Sequence, residues 1–174
     1  MNRLRLAVLV SLASVLVASS ASAQVLDADP SHVPRVNLIS ANPIGLIFEW
    51  YNGEIEHALT PTSSVAVAAS RFDFDSDNYT SVDGIVRYYP TGKAIRGLSV
   101  GASAGFVAIG SNCNLCSNNS ATAFTIGVRG DYVWILGRDQ RFAVASGIGA
   151  KRLFRNDFGA DGLPIARLSI GWAW

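Results

Sequence analysis

From Leu163 to Trp174 the chain alternates, residue by residue, between two kinds of side chain. Ala166, Leu168, Ile170, Trp172 and Trp174 fall on one side, and Arg167, Ser169, Gly171 and Ala173 fall on the other. A period of two belongs to a strand and not to a helix. The grouping matters more than the period. Bulky apolar residues share one face, small and charged residues share the other, and two tryptophans close the apolar face where a membrane–water boundary would hold them.

The same division recurs upstream. In Gly97 to Ile109, Leu98, Val100, Ala102, Ala104, Phe106 and Ala108 oppose Gly97, Ser99, Gly101, Ser103 and Gly105. In Phe124 to Trp134, Phe124, Ile126, Val128, Tyr132 and Trp134 oppose Thr125, Gly127, Arg129, Asp131 and Val133. Arg141 to Lys151 sets Phe142, Val144 and Ile148 against Gly147, Gly149 and Lys151, and Ser81 to Pro90 sets Val82, Val86 and Tyr88 against Asp83 and Arg87. Ser64 to Ala69 alternates weakly around Val65 and Val67. A soluble lipocalin-like barrel or sandwich would have to bury the bulky face. Here the small and charged residues share the opposite face, so the pattern favours an apolar exterior around a narrow polar interior. Many of the sixteen glycines fall on the inner set, where a narrow barrel leaves little room.

These segments are about ten residues long and separated by turn residues, the signature of a transmembrane β-barrel. Connector lengths support it. Arg155 to Gly162 and Gly110 to Asn119 are long, Asp73 to Asn78 is polar, Pro90 to Arg96 is moderate, and Gly137 to Gln140 and Thr60 to Thr62 are short. Six strands follow from Ser63 onward. The stretch Val33 to Leu59 must supply two more, with turn signals at both Asn42-Pro43 and Asn52-Gly53. A turn at the first leaves one long strand running through Gly53; a hairpin at the second leaves a short strand, Glu54 to Leu59. Either choice predicts an all-β, eight-stranded antiparallel transmembrane barrel of up-and-down meander topology, with side chains filling the lumen.

The N-terminal region agrees with this destination. Residues 1–23 read as a signal peptide: Arg3 and Arg5 precede an apolar run from Leu6 to Val17, and Ala21-Ser22-Ala23 forms a small-residue cleavage site. Cleavage near Ala23 leaves residues 24–34 as an extension and 35–174 as the barrel. No cysteine lies near the cut, which argues against a lipoprotein. The whole chain has 14 Lys and Arg against 13 Asp and Glu. Losing Arg3 and Arg5 leaves 12 against 13, with no basic run, so nucleic-acid binding is not expected. Mean hydropathy is positive although no segment after Val17 is long and apolar enough for a spanning helix. A closed barrel is then the structure that satisfies every backbone group in lipid.

Several segments are similar to small bacterial outer-membrane β-barrel proteins, and more closely to an opacity- and adhesin-like group of eight-stranded barrels. They are Asn37-Leu38-Ile39-Ser40, Asn42-Pro43-Ile44-Gly45-Leu46, Glu54-Ile55-Glu56-His57-Ala58-Leu59-Thr60-Pro61, Val86-Arg87-Tyr88-Tyr89-Pro90, and Arg167 to Trp174. Ile55 and His57 stand where that group's segment has Tyr and Arg. The resemblance implies the outer membrane of a Gram-negative bacterium, contact with outer-membrane lipid, and recognition by the barrel assembly machinery through the C-terminal strand with Trp172 and Trp174. It implies no activity.

Candidate functional residues are few. Glu56, Asp83, Arg87, Arg129, Asp131, Lys151 and Arg167 are expected inside the lumen as a salt-bridge network, since charges removed from water need partners. Arg129 and Arg167 are expected to pair with Glu56 or Asp131. Cys113 and Cys116, in a Ser- and Asn-rich loop of an oxidising compartment, are expected to form a local disulfide. Asp73, Asp75 and Asp77 alternate as at the start of a calcium loop, but the Gly and distal Glu are missing, so a solvated acidic loop is expected. Of the two histidines, His32 precedes the barrel and His57 adjoins no Gly-x-Ser-x-Gly motif, so catalysis and cofactors are not expected. The expected role is structural or surface interaction through the loops Asp73–Asn78, Ser111–Ser120 and Arg155–Gly162, with an extracellular ligand of unknown kind. The alternatives are a narrow channel for small solutes and a lipid-modifying enzyme acting through His57.

Overall fold

The computed structural model describes residues 34–74, 77–111, 120–154 and 162–174. The described chain forms eight strands: β1 (Asn37–Ala41), β2 (Trp50–Thr60), β3 (Ser63–Phe74), β4 (Asp77–Tyr88), β5 (Gly97–Ser111), β6 (Ser120–Leu136), β7 (Phe142–Phe154) and β8 (Gly162–Ala173). Each pairs antiparallel with the next, and β8 pairs with β1, so the meander closes into a barrel. This is the fold that the period-two pattern predicts.

The first two strands resolve at Asn42. Its side-chain Oδ1 accepts from the N–H groups of Ile44 at 3.0 Å and Gly45 at 3.1 Å, an Asx turn that ends β1. A short 3₁₀ helix, Gly45–Phe48, leads through the left-handed Glu49 into β2. Gly53 is therefore a strand residue paired with Ala41 and Ala69, and the Asn52-Gly53 hairpin is ruled out. A second expectation is also corrected. Asp73–Asn78 is not a polar loop: Asp73 pairs with Asn78 and Phe74 with Asp77 in the β3–β4 ladder. Side-chain polarity does not prevent a strand from projecting past its apolar belt into water.

Alternation holds throughout the barrel. Val82, Val86, Val100, Phe106, Val128 and Ile148 point outward and are exposed, while Asp83, Arg87, Ser99, Thr125 and Asp131 between them are buried. The outer wall carries two aromatic belts. Phe106, Phe124 and Phe154 meet edge to face or tilted at 5.5 and 6.1 Å near one end. Tyr132 and Trp134 meet tilted at 4.5 Å towards the other, in the part of the wall where Phe142 pairs with Trp172. Ten residue steps of ~3.4 Å separate Phe124 from Trp134; tilted by ~40°, they rise about 26 Å, the height of a membrane barrel's apolar band.

The lumen is sealed at the end where β1 and β8 meet. Tyr89 and Ala94 donate their N–H groups to the carbonyls of Thr62 and Pro61, both at 2.8 Å, which folds the 89–96 connection over the barrel mouth. Ile95 adopts φ of 69°, a costly conformation for a β-branched residue. Its side chain is buried against Leu38, Val133, Ala143, Ala145 and Ala173. That apolar plug offsets the backbone strain and fills the base of the barrel.

Candidate functional site

Above the plug the interior is ionic. Inward positions of β2, β4, β6 and β8 bring Glu54, Glu56, Arg87, Arg129, Asp131 and Arg167 together, and Arg87 is the largest completely buried side chain among the described residues. Each of its three nitrogens has a carboxylate. Nη2 donates to Glu54 at 2.8 Å, Nη1 to Glu56 at 2.8 Å and Nε to Asp131 at 3.2 Å. Arg129 Nε lies 2.8 Å from Asp131 Oδ2, and its Nη1 donates to Glu54 at 3.3 Å. Arg167 Nη2 donates to Glu54 at 2.7 Å and to the Ser40 hydroxyl at 3.2 Å, while its Nη1 lies 3.6 Å from Asp131 Oδ1. Glu56 Oε1 accepts from the Ser64 and Tyr89 hydroxyls, both at 2.5 Å. Three arginines and three carboxylates thus form one electrically balanced cluster. A separate pair, Lys151 and Asp83, stands beside it.

Burying one such ion alone would cost several kcal/mol after relaxation; mutual pairing with full hydrogen bonding offsets this. The inner glycines supply the space. A Cβ at Gly101 would come within 3.2 Å of Arg87 Cγ and 3.4 Å of Arg129 Cγ, and one at Gly127 within 2.8 Å of Lys151 Cγ. Long cationic side chains lie across the lumen because the opposing positions carry none.

The sequence-derived set Glu56, Asp83, Arg87, Arg129, Asp131, Lys151 and Arg167 is inside the barrel. Of the two carboxylates expected for Arg129 and Arg167, it is Asp131 that both reach. Glu56 belongs to Arg87, Ser64 and Tyr89, and the second carboxylate of Arg129 and Arg167 is Glu54. Two further members are Glu54, two residues from Glu56 on the same face of β2, and Tyr89, two residues from Arg87 and just past the end of β4. Trp172 and Trp174 point outward, each about half exposed, and the Arg141 guanidinium lies 5.9 Å over the Trp172 ring. His57 also points outward, with Nδ1 2.7 Å from Asn37 Oδ1. Asp73 forms an exposed ion pair with Arg71 at 3.1 Å. Cys113, Cys116, Asp75, His32, the signal peptide and most of the loops Ser111–Ser120 and Arg155–Gly162 fall outside the described residues. Among the described residues no group of three His, Cys, Asp or Glu side chains is placed to hold a metal ion.

Between the network and the opposite mouth lies a cavity of about 320 Å³, with Trp50, Phe72 and Tyr79 in its walls and Glu54, Arg129 and Arg167 at its base. Trp50 Nε1 donates to Ser70 Oγ at 2.8 Å, and its ring meets Phe72 edge to face at 6.1 Å.

No family model matches the chain, and no curated protein matches it. Among solved structures it is similar to the N-terminal β-barrel domain of Pseudomonas aeruginosa OprF, with a TM-score of 0.51 and 20% identity over 81% of this chain and 98% of that domain. At this identity the likeness establishes the barrel fold.

Proposed function

We propose that the chain is an outer-membrane β-barrel of a Gram-negative bacterium whose role is structural and surface-directed: a rigid stave in the bilayer that presents its longer connections outside the cell. One observation carries this reading. The distribution of polarity is inverted relative to a water-soluble domain, with Val128 63% exposed and Ile148 60% exposed on the outer wall while Arg87 and Asp131 are 1% and 2% exposed inside. Water would penalise such a wall on every side, whereas hydrocarbon accepts it. The ~26 Å spacing of the aromatic belts and the signal-like residues 1–23 support the same location. In this orientation the sealed end faces the periplasm, and the far ends of β3, β5 and β7 face the cell exterior. Outer-membrane lipid and the assembly machinery are the partners this reading requires; the surface ligand is an extracellular molecule of unknown kind.

The lumen supports a closed barrel in preference to a solute channel. The Arg87 cluster and the Ile95 plug occupy its cross-section in succession. A non-catalytic role is part of the proposal, since His57 faces outward at the sealed end with Nδ1 taken up by Asn37. The test is cell fractionation followed by gel migration with and without boiling. Recovery in the outer membrane with faster unboiled migration supports the reading, and planar bilayers should remain silent. A soluble periplasmic protein with no heat shift would overturn it. Deleting 112–119 or 155–161 should abolish any cell-surface binding phenotype while leaving the heat shift intact.

A further inference from the structure

The lipid-facing wall has a trough along the seam of β1 and β2. The outward residues at its centre are small: Ala41 pairs with Gly53, and Gly53 pairs with Ala69 of β3. Ile39 and Ile55 stand beside them. Phe142 and Trp172, paired across β7 and β8, close the end nearer the plug, and the whole bounds a groove of about 660 Å³. The side chains that face it are apolar; Ser40 and Glu54, which border it, are buried on the lumen side. Hydrocarbon touches every part of such a wall. A depression holds one chain more firmly than a convex surface does, because more of the chain's atoms find contacts.

Cations gather at the foot of this groove. Arg141 precedes Phe142, and its guanidinium lies 5.9 Å over the Trp172 ring. The turn just before it, Gly137 to Gln140, carries Arg138 and is held from two sides. Gln140 N–H donates to the Gly137 carbonyl at 3.1 Å, and Arg35 donates to the Gln140 carbonyl through Nε at 3.2 Å and to the Asp139 carbonyl through Nη2 at 2.6 Å. Arg138 and Arg141 are exposed. The lumen arginines each meet carboxylates; here, among the described residues, none of Arg35, Arg138 and Arg141 has an ion-pair partner. Three cations therefore stand against the one carboxylate that the turn carries, Asp139. They sit at an aromatic belt, the depth of lipid headgroups, where guanidinium groups bind phosphate oxygens well.

We propose that the groove and the arginines at its foot form a binding site for an anionic glycerophospholipid of the periplasmic leaflet, its phosphate held by Arg138 and Arg141 and an acyl chain lying over Ala41 and Gly53. The groove's volume is within the range of small-molecule sites. A net anionic headgroup is favoured because a zwitterionic one brings its own cation, which the arginines repel. Each cation near a membrane surface strengthens attraction to anionic lipid about fivefold. This inference rests on the bilayer reading of the outer wall, so the experiment begins with full-length barrel in lipid nanodiscs that has passed the heat-shift test; failure there counts against the bilayer reading and not against the groove.

Isotope-labelled barrel is placed in phosphatidylcholine nanodiscs that carry a trace of one spin-labelled lipid, phosphatidylglycerol or phosphatidylcholine, with the label at the same position of the same acyl chain. Line broadening is followed at the Ile39 and Ile55 methyls in the groove. The reference is Leu98, outward on β5 and paired with Tyr132 of the same aromatic belt. Labelled phosphatidylglycerol should broaden Ile39 and Ile55 at least about fivefold more than labelled phosphatidylcholine, the gain from one arginine, and the two should broaden Leu98 alike. Arg138→Gln combined with Arg141→Gln should bring the two lipids level at Ile39. Ala41→Phe, which fills the groove, should do the same while leaving the arginines in place. These side chains are exposed, so the heat shift should survive in both variants. Equal broadening of Ile39 and Ile55 by the two lipids, or a preference that persists in either heat-shifting variant, would overturn the proposal.

Discussion

Replacing Arg87 with Met tests whether the lumen network holds the barrel together. The guanidinium contacts Glu54, Glu56 and Asp131 at 2.8, 2.8 and 3.2 Å with no exposure of its side chain. Methionine fills most of the volume and removes the charge. Glu54 and Asp131 keep Arg129 and Arg167, but Glu56 retains only the neutral hydroxyls of Ser64 and Tyr89. The cluster changes from three cations and three carboxylates to two and three, with the excess charge beside the plug. Removing one partner of a buried pair costs about 3–5 kcal/mol, a large share of a typical domain's stability. Adding Glu56→Gln should recover much of this, because the amide still accepts from Ser64 and Tyr89 and no carboxylate is left without a cation. Urea unfolding in lipid vesicles, read by tryptophan fluorescence and gel shift, measures both variants. The two single changes should be strongly non-additive. If Arg87→Met cost under ~1 kcal/mol, or if the double variant were simply additive, the network would be filler and the reasoning wrong.

Tyr89→Phe removes one hydroxyl donor from Glu56 and should cost about 1.5–3 kcal/mol in the same assay, the usual value for a hydrogen bond to a charged group; no change would detach Tyr89 from the cluster. Gly127→Val should destabilise by about 1–3 kcal/mol through overpacking against Lys151, whereas Gly130→Ala, on the outer wall with no atom within 4 Å of the added carbon, should be neutral. Equal effects at the two glycines would contradict the account of why the inner face is small. Replacing Arg129 and Arg167 together with Met should lower thermal stability, since both serve Glu54; an unchanged melting profile would count against the network.

Much of this architecture was legible because the alternation that makes a strand also sorts its side chains between lipid and lumen. Strands from Ser63 onward, their faces and six of the interior charges follow from that rule alone. The first two strands did not, because Asn42-Pro43 and Asn52-Gly53 carry equal turn chemistry and the choice depends on whether Gly53 finds partners on both sides. Pairing within the lumen was only partly readable. Which carboxylate meets which arginine depends on the stagger between strands that are distant in sequence, as with Arg87 and Asp131. The plug was invisible for a similar reason: Ile95 lies in a connector whose fold is decided by hydrogen bonds to Pro61 and Thr62. Asp73–Asn78 misled because polar composition marks exposure to water and says little about backbone pairing.

The most direct test of the central claim, that the outer wall faces hydrocarbon, is the unfolding free energy of Val128→Arg in lipid vesicles. Val128 stands midway along β6 between Phe124 and Tyr132, with Ala102 and Ala150 beside it. A cation at the bilayer midplane should cost about 2–4 kcal/mol. An exposed position on a soluble protein would change by no more than ~0.5 kcal/mol, and that result would contradict the account.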